Sequence, residues 1–93
     1  MIEIARCEST LRHYNNEGQP LRGHVDRNDV GVMQINERYH LETANRLGIN
    51  IYTREGNMAY ARNLYERKGV QPWSASYPCW KDVYYGNVVA QNQ

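Results

Sequence analysis

The chain has 93 residues, of which 41% are hydrophobic and 23% are charged, a balance typical of a folded domain and not of a disordered chain. Eleven Lys and Arg residues against ten Asp and Glu residues leave a formal net charge of +1, which argues against a nucleic-acid partner because no strong positive field is present. We therefore expect a single domain over residues 1–93, alone or within a longer parent chain, and no membrane span.

The first predicted element is a helix over residues 2–12. Ile4, Glu8 and Leu11 recur at offsets of four and three, which puts a carboxylate on the same face as two apolar residues. Packing that face against the domain would remove water from Glu8 and raise the pKa of its carboxyl group. A carboxylic acid that stays protonated near neutral pH can donate a proton to a glycosidic oxygen. By spacing alone, an exposed helix glutamate is the commoner alternative.

The next two segments are less regular. Residues 13–29 carry Gly18, Pro20 and Gly23 among polar residues, and they are predicted to form a loop with a short hairpin. A loop of this length in so small a domain is usually functional or contains weak strands. Residues 30–36 (VGVMQIN) fit either a strand or a short buried helix, because seven residues are too few for periodicity to decide.

Two further helices are predicted in the second half. The first carries Leu41, Ala44 and Leu47 at intervals of three and ends before Gly48. The second runs from about residue 50 to 69. It contains a glycine at position 56, which costs about 1 kcal/mol relative to alanine, so a close approach by another backbone or a ligand would explain it.

The C-terminal part is predicted to be a turn-rich loop over residues 70–78, one or two helical turns over residues 79–85, and a fraying tail over residues 87–93. Together the elements predict an α+β domain, mainly α-helical, with a small irregular or β element.

Cysteine and histidine usage limits the chemistry. Cys7 and Cys79 permit one intramolecular pairing, a disulfide that would close a long loop and stabilise the fold by roughly 4 kcal/mol; the alternative is two buried reduced thiols. The three histidines, His13, His24 and His40, show no spacing typical of a metal site. No metal and no cofactor are therefore predicted, and neither a phosphate-binding glycine loop nor a nucleophilic serine elbow occurs.

Three motifs in chain order resemble the lysozyme-like soluble lytic transglycosylase family over roughly residues 4–80. They are Ala5-Arg6-Cys7-Glu8-Ser9, Asp29-Val30-Gly31-Val32-Met33-Gln34-Ile35-Asn36, and Asn50-Ile51 with Gly56 and Tyr60-Ala61. The resemblance implies a lysozyme-like fold and cleavage of the β-1,4 bond between N-acetylmuramic acid and N-acetylglucosamine in peptidoglycan by lytic transglycosylation. It also implies that Glu8 is the catalytic acid and base. Ser9, Met33 and Gln34 are then expected to contact the sugar.

Two departures from the family pattern leave alternatives open. Pro72-Trp73-Ser74-Ala75-Ser76, followed by Cys79-Trp80, is similar to the end of certain bacterial and phage members, where it replaces the Ala-x-Tyr-Asn segment of other transglycosylases. The residue that assists Glu8 is therefore not identified. Asp29 matches the second catalytic carboxylate of animal lysozymes, which would favour hydrolysis, or it caps a turn. A peptidoglycan-binding module without turnover is the third alternative.

Aromatic residues are the remaining candidates for glycan contacts. The chain has eight Tyr, two Trp and no Phe, and the rings of Tyr and Trp pair an apolar face with a hydrogen-bonding group, which suits a pyranose. Tyr60, Tyr65 and Trp73 are the candidates. The alternative, that such residues belong to the core, applies most to Tyr65 and Trp80.

The implied substrate also sets an expected location. The sequence Met1-Ile2-Glu3 begins without the basic and apolar regions of a signal peptide. A cell-wall substrate nevertheless predicts a periplasmic or extracellular protein, or a component of a phage particle, whose targeting segment was removed or belongs to a larger cell-wall or phage-tail parent chain.

Overall fold

A computed structural model describes residues 1–83, which form an α+β, mainly helical domain, as predicted. The elements are α1 (Ile2–Ser9), β1 (Asp29–Val30), β2 (Ile35–Asn36), α2 (Glu37–Arg46), α3 (Arg54–Lys68) and a 3-10 helix (Gln71–Ser76), followed by helical residues 77–83. Residues 70–78 were expected to be a loop, so the 3-10 helix there is a correction. The predicted tail and the end of the predicted 79–85 helix lie outside the described residues.

Helix α1 ends at Ser9, short of the predicted Arg12. Thr10 and Leu11 adopt left-handed backbone conformations with φ of 55° and 66°, which turn the chain away from the helix axis. The Thr10 N–H still bonds to the Arg6 carbonyl at 2.9 Å and closes the helix. Leu11 is consequently 43% exposed, so the prediction that it shares a buried face with Glu8 is wrong.

Residues 30–36 form most of a tight antiparallel hairpin, not a continuous strand or a buried helix. The register pairs Asp29 with Asn36 and Val30 with Ile35. Gly31 begins the turn with φ of 78°, and a Cβ atom there would lie 2.4 Å from Cε1 of the buried His13, so the turn excludes any side chain at this position. The predicted short hairpin in the 13–29 loop is confirmed by an antiparallel bridge between Tyr14 and Pro20.

Two buried polar side chains hold the hairpin against the helices. His13 accepts the Val32 N–H at Nδ1 (3.1 Å), which leaves the proton on Nε2 to bond to the Tyr52 carbonyl (2.8 Å). Asn57, on α3, uses its whole amide: Oδ1 accepts the Met33 N–H at 2.9 Å, and Nδ2 donates to two backbone carbonyls. The hairpin is thereby fixed in position by hydrogen bonds that water cannot replace.

Helix α3 begins at Arg54, later than the predicted residue 50, because Thr53 caps it by accepting the Gly56 N–H at 3.0 Å. A Cβ atom at Gly56 would lie 1.7 Å from the Asn50 carbonyl oxygen, which confirms the predicted close backbone approach. Helix α2 ends before Gly48 as predicted, and α3 ends before Gly69.

The core lies where α1, the hairpin, α2, α3 and the C-terminal segment meet. Its buried members are Ile4, Ala5, Val32, Met33, Ile35, Ala44, Ile51, Tyr60, Ala61, Leu64, Trp73 and Trp80. The predicted disulfide between Cys7 and Cys79 is confirmed, with a Cα–Cα distance of 6.0 Å, and it ties α1 to the C-terminal segment. None of the helices among residues 1–83 combines the length and apolar character that crossing a bilayer requires.

Candidate active site

Glu8 lies in the last turn of α1 with its carboxylate partly buried. Its Oε1 accepts a hydrogen bond from the Ser76 hydroxyl at 2.7 Å. Burial raises the pKa of Glu8 above its ordinary value of 4.5, the Ser76 hydrogen bond opposes that rise, and the negative charge of Asp29 adds to it. The alternative of a fully exposed helix glutamate therefore does not fit, and the carboxyl group is biased toward the protonated form that a general acid needs.

Asp29, in β1, is the second carboxylate close enough to act on Glu8. Its Oδ1 accepts a hydrogen bond from the Asn36 side-chain amide at 3.0 Å. Partial burial raises the pKa of Asp29, the Asn36 hydrogen bond opposes the rise, and the negative charge of Asp26 supports it. In the same loop, Asp26 caps a turn, because its Oδ1 accepts the Asn28 N–H at 2.9 Å.

Asn36 connects this carboxylate to the scaffold. Its Oδ1 caps α2 by accepting the Tyr39 N–H at 3.3 Å, which directs the amide nitrogen toward Asp26 and Asp29, each at 3.0 Å. The sequence offered one signal for this role: an asparagine directly before the first residue of a helix is a typical N-cap. The capping bond thus sets the direction from which Asp29 receives its hydrogen bond.

Ser76, at the end of the 3-10 helix, is the neighbour of Glu8 that the sequence left unidentified. It lies 68 positions from Glu8, and the disulfide holds the two segments together because Cys7 precedes Glu8 and Cys79 follows Ser76 by three residues. The Trp80 indole N–H donates to Ser76 Oγ at 2.9 Å. This hydrogen bond from Trp80 fixes the position of the Ser76 hydroxyl oxygen.

The predicted sugar contacts from the family motifs are partly corrected. The Ser9 hydroxyl lies 2.8 Å from the Val32 carbonyl and 3.1 Å from the Ala5 carbonyl, so it joins α1 to the hairpin. Met33 is only 2% exposed, and its side chain packs in the core, so little of its surface is left for a sugar contact. Gln34 is partly exposed in the hairpin turn with φ of 51°, and its Nε2 donates to the Gly31 carbonyl at 2.9 Å.

Gln34 and Asp29 both lie close to Gly23. A Cβ atom placed on Gly23 would come within 3.0 Å of Gln34 Oε1 and 3.1 Å of Asp29 Cβ, so both side chains border the same glycine. Gln34, one of the polar sugar contacts predicted from the motifs, is therefore close to the carboxylate of Asp29.

The predicted aromatic contacts need a stronger correction. Tyr60 and Trp73 are 0% and 3% exposed, and each uses its polar atom internally: the Tyr60 hydroxyl lies 2.8 Å from His40 Nδ1, and the Trp73 indole donates to the Met33 carbonyl at 2.9 Å. The prediction that Tyr60 and Trp73 contact the sugar is therefore wrong. Tyr65 is half-buried on α3 and lines a cavity away from Glu8.

That cavity, of about 940 Å³, runs between α1 and α3 and is lined mainly by apolar side chains. Its walls include Ile2, Ala5, Met33, Met58 and Tyr65, but neither Glu8 nor Asp29. This cavity and the two carboxylates are therefore separate features, and the candidate chemistry rests on the carboxylates.

No protein-family model, no curated protein and no solved structure matches the chain. Within residues 1–83, no group of three or more His, Cys, Asp or Glu side chains could hold a metal ion. The candidate site therefore consists of three groups. Glu8 is a partly buried acid, Asp29 is a second carboxylate whose charge raises the pKa of Glu8, and the Ser76 hydroxyl donates a hydrogen bond to Glu8. A glycosidic bond needs a proton donor of this kind at the leaving oxygen.

Proposed function

We propose that this chain is a lysozyme-like domain that cleaves the β-1,4 bond between N-acetylmuramic acid and N-acetylglucosamine in peptidoglycan by lytic transglycosylation. The observation that carries the proposal is the environment of Glu8. A partly buried carboxyl group whose pKa is raised by burial, with a second carboxylate whose charge adds to the rise, is an arrangement found where a glutamate donates a proton to a sugar oxygen. The order of the Glu8-Ser9 and Gly31–Asn36 motifs supports the same assignment.

In the proposed reaction Glu8 first protonates the oxygen that leaves from the muramic acid residue. The resulting carboxylate then accepts the proton of the muramoyl 6-hydroxyl as that oxygen attacks C1, which gives a 1,6-anhydro end. One residue thus acts as acid and then as base, and its proton is restored at the end of the cycle.

A second candidate is hydrolysis by Glu8 and Asp29, which one observation favours. The negative charge of Asp29 raises the pKa of Glu8, so the two carboxyl groups interact. Many glycosidases use one carboxylic acid and one carboxylate on the two sides of the bond. In this version water replaces the muramoyl hydroxyl as the nucleophile. Because it also requires Glu8, the two candidates differ in product and in the role of Asp29.

Product analysis separates the candidates. Purified sacculi are digested with the parent chain, and the soluble muropeptides are examined by mass spectrometry. Transglycosylation predicts 1,6-anhydro ends, hydrolysis predicts reducing ends heavier by one water, and the Glu8→Gln variant should release neither. If parent and variant both bind sacculi and neither releases fragments, cleavage is wrong and a peptidoglycan-binding module is the better assignment.

The proposed substrate agrees with an oxidised Cys7–Cys79 pair, because disulfides persist in secreted and periplasmic proteins. We propose a periplasmic or extracellular location, or a place in a phage particle, on these grounds. Non-reducing mass analysis of the protein isolated from its native compartment checks this, and free thiols there would contradict it.

A further inference from the structure

Ser76 Oγ has three hydrogen-bonding neighbours but carries only one hydrogen. Glu8 Oε1 lies 2.7 Å away, the Trp80 indole nitrogen 2.9 Å away and the Trp73 carbonyl oxygen 3.1 Å away. The indole N–H can only donate, and it is shared between Ser76 Oγ and, at the longer distance of 3.3 Å, the Trp73 carbonyl. The serine proton must therefore point either to the carboxyl group of Glu8 or to the Trp73 carbonyl.

These two orientations match the two protonation states of Glu8. When Glu8 is ionised, the serine donates to Oε1, and the Trp73 carbonyl still has the Trp80 indole N–H at 3.3 Å. When Glu8 is protonated, its own O–H can donate to the second lone pair of Oγ, and the serine proton turns to the Trp73 carbonyl. Each group keeps a partner in both states, which a lysine or an amide N–H in place of the hydroxyl would not allow.

We propose that Ser76 is a positioning residue that holds Glu8 in one place in both of its protonation states by turning its single hydroxyl proton between Glu8 and the Trp73 carbonyl, with Trp80 fixing the hydroxyl oxygen. For catalysis the inference rests on the proposed function, because a residue that acts as acid and then as base needs a partner for both forms. The hydrogen bond itself is independent of turnover.

The decisive measurement is the titration of the Glu8 carboxyl carbon by NMR in the full chain, compared among the parent, Ser76→Ala and Ser76→Thr. A hydrogen bond to a carboxylate is stronger than one to a carboxylic acid, so losing the hydroxyl disfavours the ionised form. The pKa of Glu8 should rise in Ser76→Ala and return toward the parent value in Ser76→Thr. An unchanged titration in a folded Ser76→Ala variant overturns the proposal.

Activity on sacculi gives a second readout. We expect kcat to fall roughly 10- to 100-fold in Ser76→Ala with KM little changed, as for loss of a hydrogen bond to a charged group, and the alkaline limb of the pH–rate profile to move to higher pH. Ser76→Thr should restore both. If Ser76→Ala lowers the rate equally at every pH and the alkaline limb does not move, Ser76 has a structural role alone.

The two proposals fail separately. If the parent chain releases no fragments but Ser76→Ala shifts the Glu8 titration, cleavage is wrong and the hydrogen-bond exchange stands. If the parent releases fragments and Ser76→Ala does not shift the titration of Glu8, the hydrogen-bond exchange is wrong and the cleavage proposal stands. Thermal unfolding with the disulfide intact provides the control for folding of each variant.

Discussion

The side-chain amide of Asn36 donates to the carboxylate of Asp29 at 3.0 Å while its oxygen caps α2, so the second carboxylate of the site is held by the start of a helix. This arrangement makes Asp29 the residue whose substitution distinguishes the two candidate reactions. Its neighbour Asp26 shares the same amide, caps a turn and provides the matched control.

Asp29→Asn should lower the pKa of Glu8, because it removes a negative charge that raises it. The alkaline limb of the pH–rate profile should therefore move to lower pH, whichever reaction is catalysed. Under hydrolysis with two carboxylates we also expect a large fall in kcat, whereas transglycosylation by Glu8 alone should leave the rate at the optimum within about tenfold. Asp26→Asn should not move the alkaline limb of the pH–rate profile. A pH–rate profile for Asp29→Asn that matches that of the parent would contradict the electrostatic effect of Asp29 on the pKa of Glu8.

Glu8→Gln should abolish fragment release while stabilising the fold at neutral pH. Loss of general acid catalysis alone lowers rates by about 10²- to 10⁴-fold. Stability changes because the folded pKa of Glu8 lies above its unfolded value of 4.5: the carboxyl group stabilises the fold below pH 4.5, and this contribution is lost as the pH rises through the folded pKa.

The gain for Glu8→Gln should therefore be absent near pH 4 and grow toward pH 7, and it should be small because the group is only partly buried. Urea denaturation at the two pH values measures it. Glu3→Gln, at a partly exposed glutamate on the same helix that pairs with Arg6 at 3.6 Å, is the control. A variant that is equally stabilised at both pH values argues against a raised pKa.

Asn57→Leu should lower the free energy of unfolding by about 3 kcal/mol or more. The substitution leaves the Met33 N–H and the carbonyls of Val30 and Ile51 without their buried partner, and each such group costs about 1–3 kcal/mol. Asn63→Leu, six residues further along α3, breaks an exposed hydrogen bond from Arg67 and serves as the control. Comparable losses in both variants would contradict the role of Asn57 in fixing the hairpin.

Removing the disulfide by Cys7→Ser with Cys79→Ser should destabilise the chain by about 4 kcal/mol, because the bond closes a loop between residues 72 positions apart. The same change frees the Ser76 segment from α1. Below the unfolding temperature, we expect fragment release to fall even where circular dichroism shows an intact fold. Full activity in a folded double variant would mean that the disulfide acts on stability alone.

Sequence patterns predicted the parts of the fold that depend on local residues. Helices α2 and α3 follow from apolar spacing and terminal glycines, and two cysteines allow a single intramolecular disulfide, which the structure contains. The early end of α1 was missed because two non-glycine residues, Thr10 and Leu11, adopt left-handed conformations that no local pattern indicates.

The site was predictable only where a motif carried it. Glu8 and Asp29 were found through the resemblance, whereas Ser76 reaches Glu8 through tertiary packing across 68 positions and has no local signature. Tyr60 and Trp73 were misassigned because an aromatic ring with a polar tip suits a sugar surface and a hydrogen-bonded core equally well. Only burial, at 0% and 3% exposure, separates the two.

The separation of Glu8 from Ser76 along the chain has a consequence during synthesis. During synthesis Glu8 leaves the ribosome 68 residues before its hydroxyl partner, Ser76. A nascent or truncated polypeptide that stops before the 3-10 helix contains the proton donor without the group that holds it. The complete hydrogen-bonded surroundings of Glu8 should thus form only once the 3-10 helix has docked and the Cys7–Cys79 bridge has closed.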